Sequence, residues 1–360
     1  MDKKITIIYL CVILAICSCS KQERLPEKKL NFSFKEIGEI RENENNLMDI
    51  TDYSIHDDEI YVLDNDEGKI FHYNVKGELL DTFGNKGKGP GEFILPLNIS
   101  CLKDRIIIFD YDKRCIIEYD YGGNFIKEWI IGKDNCIQRR LVLVQNDEII
   151  GYNRTLSLEN SKYNRRETIS KFDQNLNIAE DIYIINESAY DPFHVDPFSS
   201  TQYALDSDKE RIAIAKHSYE YVDFTVMDTE GKLLYRKQFK ITPVELSDKS
   251  IRGHKKYYEE CKRQYPNYTF TFAEISKYRR AISSLDFDEK GNLWISTPIN
   301  DFGKQKLLVF SNVGEYLGYV LLDTLYIKIK DGYIFTRQKD QKDEKRESVI
   351  LIYKIKWLDT

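Results

Sequence analysis

The 360 residues carry 53 Lys and Arg against 59 Asp and Glu, a net charge of −6. No basic excess exists to draw a polyanion, so nucleic acid is not expected as a partner. Hydrophobic residues make up 42 % and aromatics 13 %, with 25 tyrosines, which supplies a large core and leans toward strand. The length fits two ordinary domains or one all-β domain that grows by repetition.

The chain opens on MDKKITIIYLCVILAICSCSKQE. Lys3 and Lys4 precede an apolar stretch from Ile5 to Ile16, too short for a stable bilayer span and suited to a secretory signal. Residues 1–18 are read as that signal and Cys19, behind the small Ser18, as the lipobox cysteine that is cleaved and acylated. Cys17 fits less well behind the bulky Ile16, and an ordinary signal peptide that carries cysteines by chance is the alternative. A lipobox makes residues 19–30 a polar tether and the membrane a partner through the N-terminal lipid. The location is then the cell envelope, either periplasm-facing or exposed on the outer membrane. Cys101, Cys115, Cys136 and Cys261 show no CxxC spacing, so neither a zinc ribbon nor a redox motif is present in the pattern. One disulfide among them and buried free thiols both stay open.

LNFSFKEIGEI, near residue 30, reads as a strand with no partner beside it. A recurrent phrase follows: an acidic turn, then a short hydrophobic strand centre. It appears as DDEIYVLD from Asp57, KDRIIIFD from Lys103, NDEIIGYN from Asn146, KERIAIAK from Lys209, KGNLWIST from Lys290 and KDGYIFTR from Lys330. Second strands and tight turns follow most copies, as in IFHYNVKGELL, IIEYDYGGNFI, FTVMDTEGKLL and LLVFSNVGEYL. Glycine there accepts the left-handed backbone of a hairpin turn. The anchors Ile60, Ile106, Ile149, Ile212, Leu293 and Tyr333 recur at roughly 40 to 80 residues, the shortest interval matching a four-stranded propeller blade.

One four-stranded sheet cannot bury both its faces, and radial stacking solves that. The expected fold is all-β, a six-bladed β-propeller over residues 31–360 with a helical insertion after blade four, residues 241–282. The last copy ends too soon for a comfortable fourth strand. The strand near residue 30 would complete it and close the ring; a shifted frame or a seventh, degenerate blade is the alternative.

FGNKGKGPGEF, residues 83–93, lies between the outermost strand of blade one and the innermost of blade two. A phosphate cradle would open onto a helix, yet ILPLNISCLKDRIIIFD follows and reads as strand. The glycines therefore shape a crossover between blades. Blade three departs from the pattern, with Leu176 where other turns have glycine and Gly151 inside the strand.

GNKGKGPGEFILP with RIIIFDYDKRCIIEYDYGGNFIKEWIIG resembles an NHL-type or TolB-like propeller repeat, and the late phrase LDFDEKGNLWIS strengthens the likeness. Over residues 30 to 357 the chain resembles the six-bladed β-propeller lipoproteins of Bacteroidota. The resemblance implies the fold and assigns no activity.

With the strands running antiparallel, b–c turns and d–a crossovers share one face, here called the decorated face. The long segments RTLSLENSKYNRRET, NESAYDPFHVDPFSS, Ile241 to Ile282 and RQKDQKDEKRES all fall there by this count, and long loops on a rigid scaffold are where binding resides. The candidate binding residues are Asp191, His194, Asp196, Lys216, Tyr257, Tyr258, Arg279, Arg280 and Arg337. A helix is expected from about Lys249 to Arg263, capped by Ser247 or Asp248. Its basic and aromatic surface suits an anionic sugar or a peptide, and suits equally a helix lying across its own propeller.

At the ends of the b strands Asp64, Asp110 and Asn153 form one arc that could hold calcium. Lys216 and Arg337 oppose them, and cross-paired salt bridges are the other reading. His56, His72, His194, His217 and His254 show no metalloprotease spacing, and no G-x-S-x-G elbow exists. No catalysis and no cofactor are expected. The function read from the sequence is a binding or interaction module for a peptide, a glycan or a surface protein. The alternative is a metal-dependent lyase or hydrolase that uses His194, His217 and a carboxylate.

Overall fold

The structure is a computed structural model that describes residues 24–131, 137–144, 148–159, 162–173, 177–190, 194–195, 202–206, 210–264, 266, 271–272, 275–298, 304–322, 327–330, 332–339 and 348–357. Six four-stranded antiparallel sheets follow one another in chain order, spanning residues 52–83, 96–130, 137–190, 202–240, 284–322 and 327–357. The sixth takes its outermost strand from the N-terminus. Phe32–Arg41 pairs with Ser348–Trp357, from Phe32 opposite Trp357 to Arg41 opposite Val349. The leftover strand thus closes the ring, in the frame of six.

Among the described residues the core is divided between the blades. Six apolar clusters each fill one seam between consecutive blades. Side chains alternate across a strand, so one b strand feeds two seams. Ile60 and Val62 join Tyr333 and Phe335 between blades six and one, while Tyr61 and Leu63 join Ile106 and Ile108 between blades one and two. Likewise Leu293 and Ile295 pack toward blade four and Trp294 toward blade six. Burial on both faces is why these strand centres read as unbroken apolar runs instead of alternating ones.

Side-chain bonds stitch the hub across the seams. The Asp52 carboxylate accepts the Ile99 amide at 3.2 Å, Ser54 Oγ accepts the Cys101 amide at 2.9 Å, and Asp286 accepts the Ile329 amide at 2.8 Å. Lys328 Nζ lies 3.1 Å from Asp52 and 4.2 Å from the centre of the Tyr53 ring, across the closing seam.

The c–d turns repeat one device. The first residue, Asn74, Asp120, Asp228 or Ser311, accepts amides two and four residues on in three of these turns, and in all four it donates its own amide to the carbonyl four residues on. Gly77, Gly123, Gly231 and Gly314 adopt positive φ just before that last residue. Blade three lacks the glycine, and Leu176 lies outside the described residues. Its flanks still make the same bonds, Asp173 N to Asn177 O at 2.9 Å and Asn177 N to Asp173 Oδ1 at 2.8 Å.

The glycine-rich crossover is architectural. Asn85–Lys86 pairs in parallel with Glu92–Phe93. Gly84 has φ of 82°, and a Cβ there would stand 2.5 Å from the Phe93 ring. Lys113 donates to the carbonyls of Gly89 (2.7 Å) and Glu92 (3.0 Å) and pairs with Glu128, which accepts the Gly91 amide at 2.7 Å.

Residues 24–30, within the stretch read from the sequence as a polar tether, lie against the propeller. Arg24 bridges to Lys240 and Lys29 to Tyr319, Leu30 N donates to Tyr319 O at 2.8 Å, and Glu27 meets Lys306 at 2.9 Å. This strap runs along the outer strands of blades four and five because those edges offer unpaired backbone groups. Leu25 packs into the same seam as Ile241, the root of the insertion.

Candidate functional site

The described a–b and c–d turns are all short, and the extended connections lie on the opposite, decorated face. The b–c hairpin of blade three continues its ladder to Glu159 opposite Lys162. His194–Val195, after blade three, pairs in parallel with Thr271–Phe272 of the insertion after blade four. Two extensions far apart in sequence are thus one piece of the same surface.

The insertion is bound down at its root. Leu246 N donates to Lys277 O (2.8 Å), Arg279 N to Val244 O (2.7 Å), and Ala281 N to Ser218 O (2.8 Å) in the b–c turn of blade four. Its helix spans Asp248–Gln264. Ser247 is the cap, its Oγ accepting the Ser250 amide at 3.2 Å. Ile251, His254, Tyr258 and Cys261, at helical spacing, form the inner face, and Tyr258 is its buried member. Arg252, Lys255, Lys256 and Tyr257 face outward, with Tyr257 49 % exposed. Of the two tyrosines, one anchors the helix and the other remains on the surface.

The other sequence candidates separate by geometry. Lys216 is exposed beside the b–c turn of blade four, and His217 stands 5.0 Å, ring to ring, from Tyr219. Arg279 donates to Ser250 Oγ at 3.1 Å and so ties the returning chain to the helix N-terminus; Arg280 is half-buried beside it. Arg337 spans the closing seam, donating to Thr51 O at 3.4 Å and Ser348 Oγ at 3.5 Å, with Glu42 4.0 Å away. Asp191 and Asp196 lie outside the described residues, and of His194 only the backbone is described.

Asp64 and Asp110 are fully buried, and backbone amides occupy their carboxylates. Asp64 accepts Met48 N at 2.6 Å, Asp49 N at 3.2 Å and Glu67 N at 3.0 Å; Asp110 accepts Ile94 N at 2.7 Å, Leu95 N at 3.1 Å and Lys113 N at 2.9 Å. Each one clamps the crossover entering its own blade to its b–c turn. Asn153 is buried within the blade-three ladder. Among the described residues no three His, Cys, Asp or Glu side chains stand together as a metal would need.

The hub holds an open space of about 180 Å³, bordered by Asp52, Ser54, Cys101, Asp206, Asp286 and Lys328, among others. Burial pushes the Cys101 and Cys115 thiols up to about 12, so both stay protonated and weakly nucleophilic. Cys101, Cys115 and Cys261 are free thiols. An arrangement that sequence reasoning missed sits at the short-turn end of the seam between blades one and two. His56 stacks on Tyr121 with ring centres 4.1 Å apart, and His72 on Tyr61 at 4.4 Å. Glu59 Oε2 accepts Tyr61 OH at 2.9 Å and lies 2.9 Å from His72 Nε2. The signal for it in the sequence is Glu59 two residues before Tyr61 with His72 directly opposite Tyr61 on the paired strand, and Tyr121 arrives from the next blade.

A family model described as a six-bladed β-propeller matches residues 41–282. Among solved structures, a protein of Bacteroides fragilis described as exported superposes with a TM-score of 0.54 at 13 % identity, covering 93 % of this chain and 98 % of its own. A member of the DUF4221 family from Bacteroides vulgatus gives 0.50 at 9 % identity, covering 92 % and 100 %. At these identities the likeness is one of fold. No curated protein matches the chain.

Proposed function

Since the chain belongs to that family of six-bladed β-propellers, DUF5128, we propose that it is an exported, lipid-anchored binding module that engages a peptide or glycan on its decorated face and performs no chemistry. The observation that carries this reading is the one-sided elaboration. Every described a–b and c–d turn is short, while the extensions rise from the opposite ends of the blades and two of them pair through His194–Val195 and Thr271–Phe272. A surface tied together from separate loops is preorganised, and preorganisation lowers the entropic cost of binding. Lys216, exposed beside His217 and Tyr219 at the b–c turn of blade four, supplies charged and aromatic contacts of the kind sugars and peptides use.

Export and lipidation at Cys19 rest on the N-terminal pattern of Lys3, Lys4, the apolar stretch and Ser18. The export described for the Bacteroides fragilis neighbour agrees with it. No described helix is long and apolar enough to cross a membrane. A thermal-shift screen against glycans and peptides is the test. A ligand class that raises the midpoint with saturation supports the reading. Stoichiometric zinc, iron or calcium in the purified protein, lost on His194→Ala together with a hydrolytic or lyase activity, would replace it with the metalloenzyme.

A further inference from the structure

The N-terminal strap fixes where the anchor emerges. Arg24 bridges to Lys240, the last residue of the outer strand of blade four. Lys240 pairs with Tyr221, the residue that follows the b–c turn, so this end of the strand lies on the decorated face. The next residue, Ile241, begins the insertion. Only four residues lie between Cys19 and Arg24, five steps of chain that reach about 17 Å when fully extended, so an acyl chain on Cys19 enters the bilayer within that distance of the root of the insertion.

The insertion helix presents a cationic surface there. Lys249, Arg252, Lys255, Lys256, Lys262 and Arg263 are all exposed. Glu260 and Glu259 pair with Lys256 (3.7 Å) and Lys262 (2.9 Å). Lys249, Arg252, Lys255 and Arg263 have no carboxylate partner among the described residues. The helix, roughly 25 Å long, thus carries a net positive face on a molecule whose net charge is −6.

We infer that the outward face of the Asp248–Gln264 helix docks on an anionic bilayer surface and holds the decorated face toward the membrane. The inference rests on the lipid-anchored reading for the position of the membrane, while the helix contact stands apart from it. Basic side chains within a Debye length of an anionic leaflet are each attracted. A single acyl chain binds only reversibly and gains from a second, electrostatic contact. Tyr257 sits among these cations as the amphipathic side chain suited to the headgroup layer.

The test uses the protein from residue 19 onward with Cys19→Ser, which removes the acyl chain and retains the strap and all six sheets. Its partition is measured by co-sedimentation with phosphatidylglycerol-containing vesicles and with neutral phosphatidylcholine vesicles. Binding to the anionic vesicles that weakens with salt is expected. Arg252→Glu, Lys255→Glu and Lys256→Glu together should lower it by roughly a hundredfold, at about fivefold per cation. Lys76→Glu, Lys103→Glu and Lys290→Glu, on the opposite turns, make the same change in net charge and should leave binding nearly intact. Unchanged thermal midpoints in both triple variants establish that folding is not at issue. Equal binding to neutral vesicles, no binding to anionic ones, or equal loss in the two variants overturns the inference. A failed lipidation of Cys19 in cells, read by mass spectrometry, would instead sink the anchored reading and leave the vesicle result standing.

Discussion

Asp64 and Asp110 owe their roles to the chain that folds over them. The apolar run before each one, IYVL or IIIF, places it correctly at the end of a b strand. Its pattern gave no notice that the crossover would double back and aim two amides at each carboxylate. A charge buried without counter-ion is costly, and charge-assisted bonds to amides offset that cost. Asp110→Asn keeps the shape but gives up an acceptor, so a loss of about 1–3 kcal/mol of stability is expected in urea unfolding; a stability unchanged within error would contradict the clamp. The thiols make a second prediction. Burial holds Cys115 protonated, up to about 12, above the ~8.5 of a free thiol. A group raised in this way contributes stability below its unfolded value that is lost as pH climbs above it. In native protein at pH 9, iodoacetamide should therefore spare Cys115 and modify the half-exposed Cys261 of the helix first, as peptide mass mapping would show; early modification of Cys115 would refute its burial.

The N-terminal strand is the element whose place was most legible, because strand counting left one vacancy in the last blade and one unpaired strand at the start. Less legible was the strap before it. Residues 24–30 are polar and without period, and it is the open edges of blades four and five that recruit them. Ile40, 2 % exposed in the closing seam with Ile350 and Ile352, measures what closure contributes. Ile40→Ala should cost about 2–5 kcal/mol. A chain beginning at residue 42 would bare the Ser348–Trp357 strand as an open edge and should aggregate. A monomeric, equally stable truncation, judged by light scattering and thermal unfolding, would show that the ring closes without it. The insertion helix stood out by its cap and basic spacing, whereas the division of labour between Tyr257 and Tyr258 depends on which side meets the propeller.

At the scale of the whole molecule, repetition explains why the fold was readable and the site was not. Six copies of one strand pattern specify six seams, each filled from two neighbours, and any copy informs the others. The decorated face has no such redundancy: each extension occurs once, and its partner is another unique extension, as with His194–Val195 and Thr271–Phe272. Arg337 likewise reads as a rim residue from its strand position, yet its bonds to Thr51 and Ser348 are decided by closure. The central claim is that binding belongs to the face where these extensions meet. Amide hydrogen exchange of the protein with and without the best ligand from the thermal-shift screen tests it most directly. Added protection is expected in the b–c and d–a connections, above all around Lys216 and in the 241–282 insertion. Protection confined to the opposite turns, such as 56–59, 74–78 and 119–124, would contradict it.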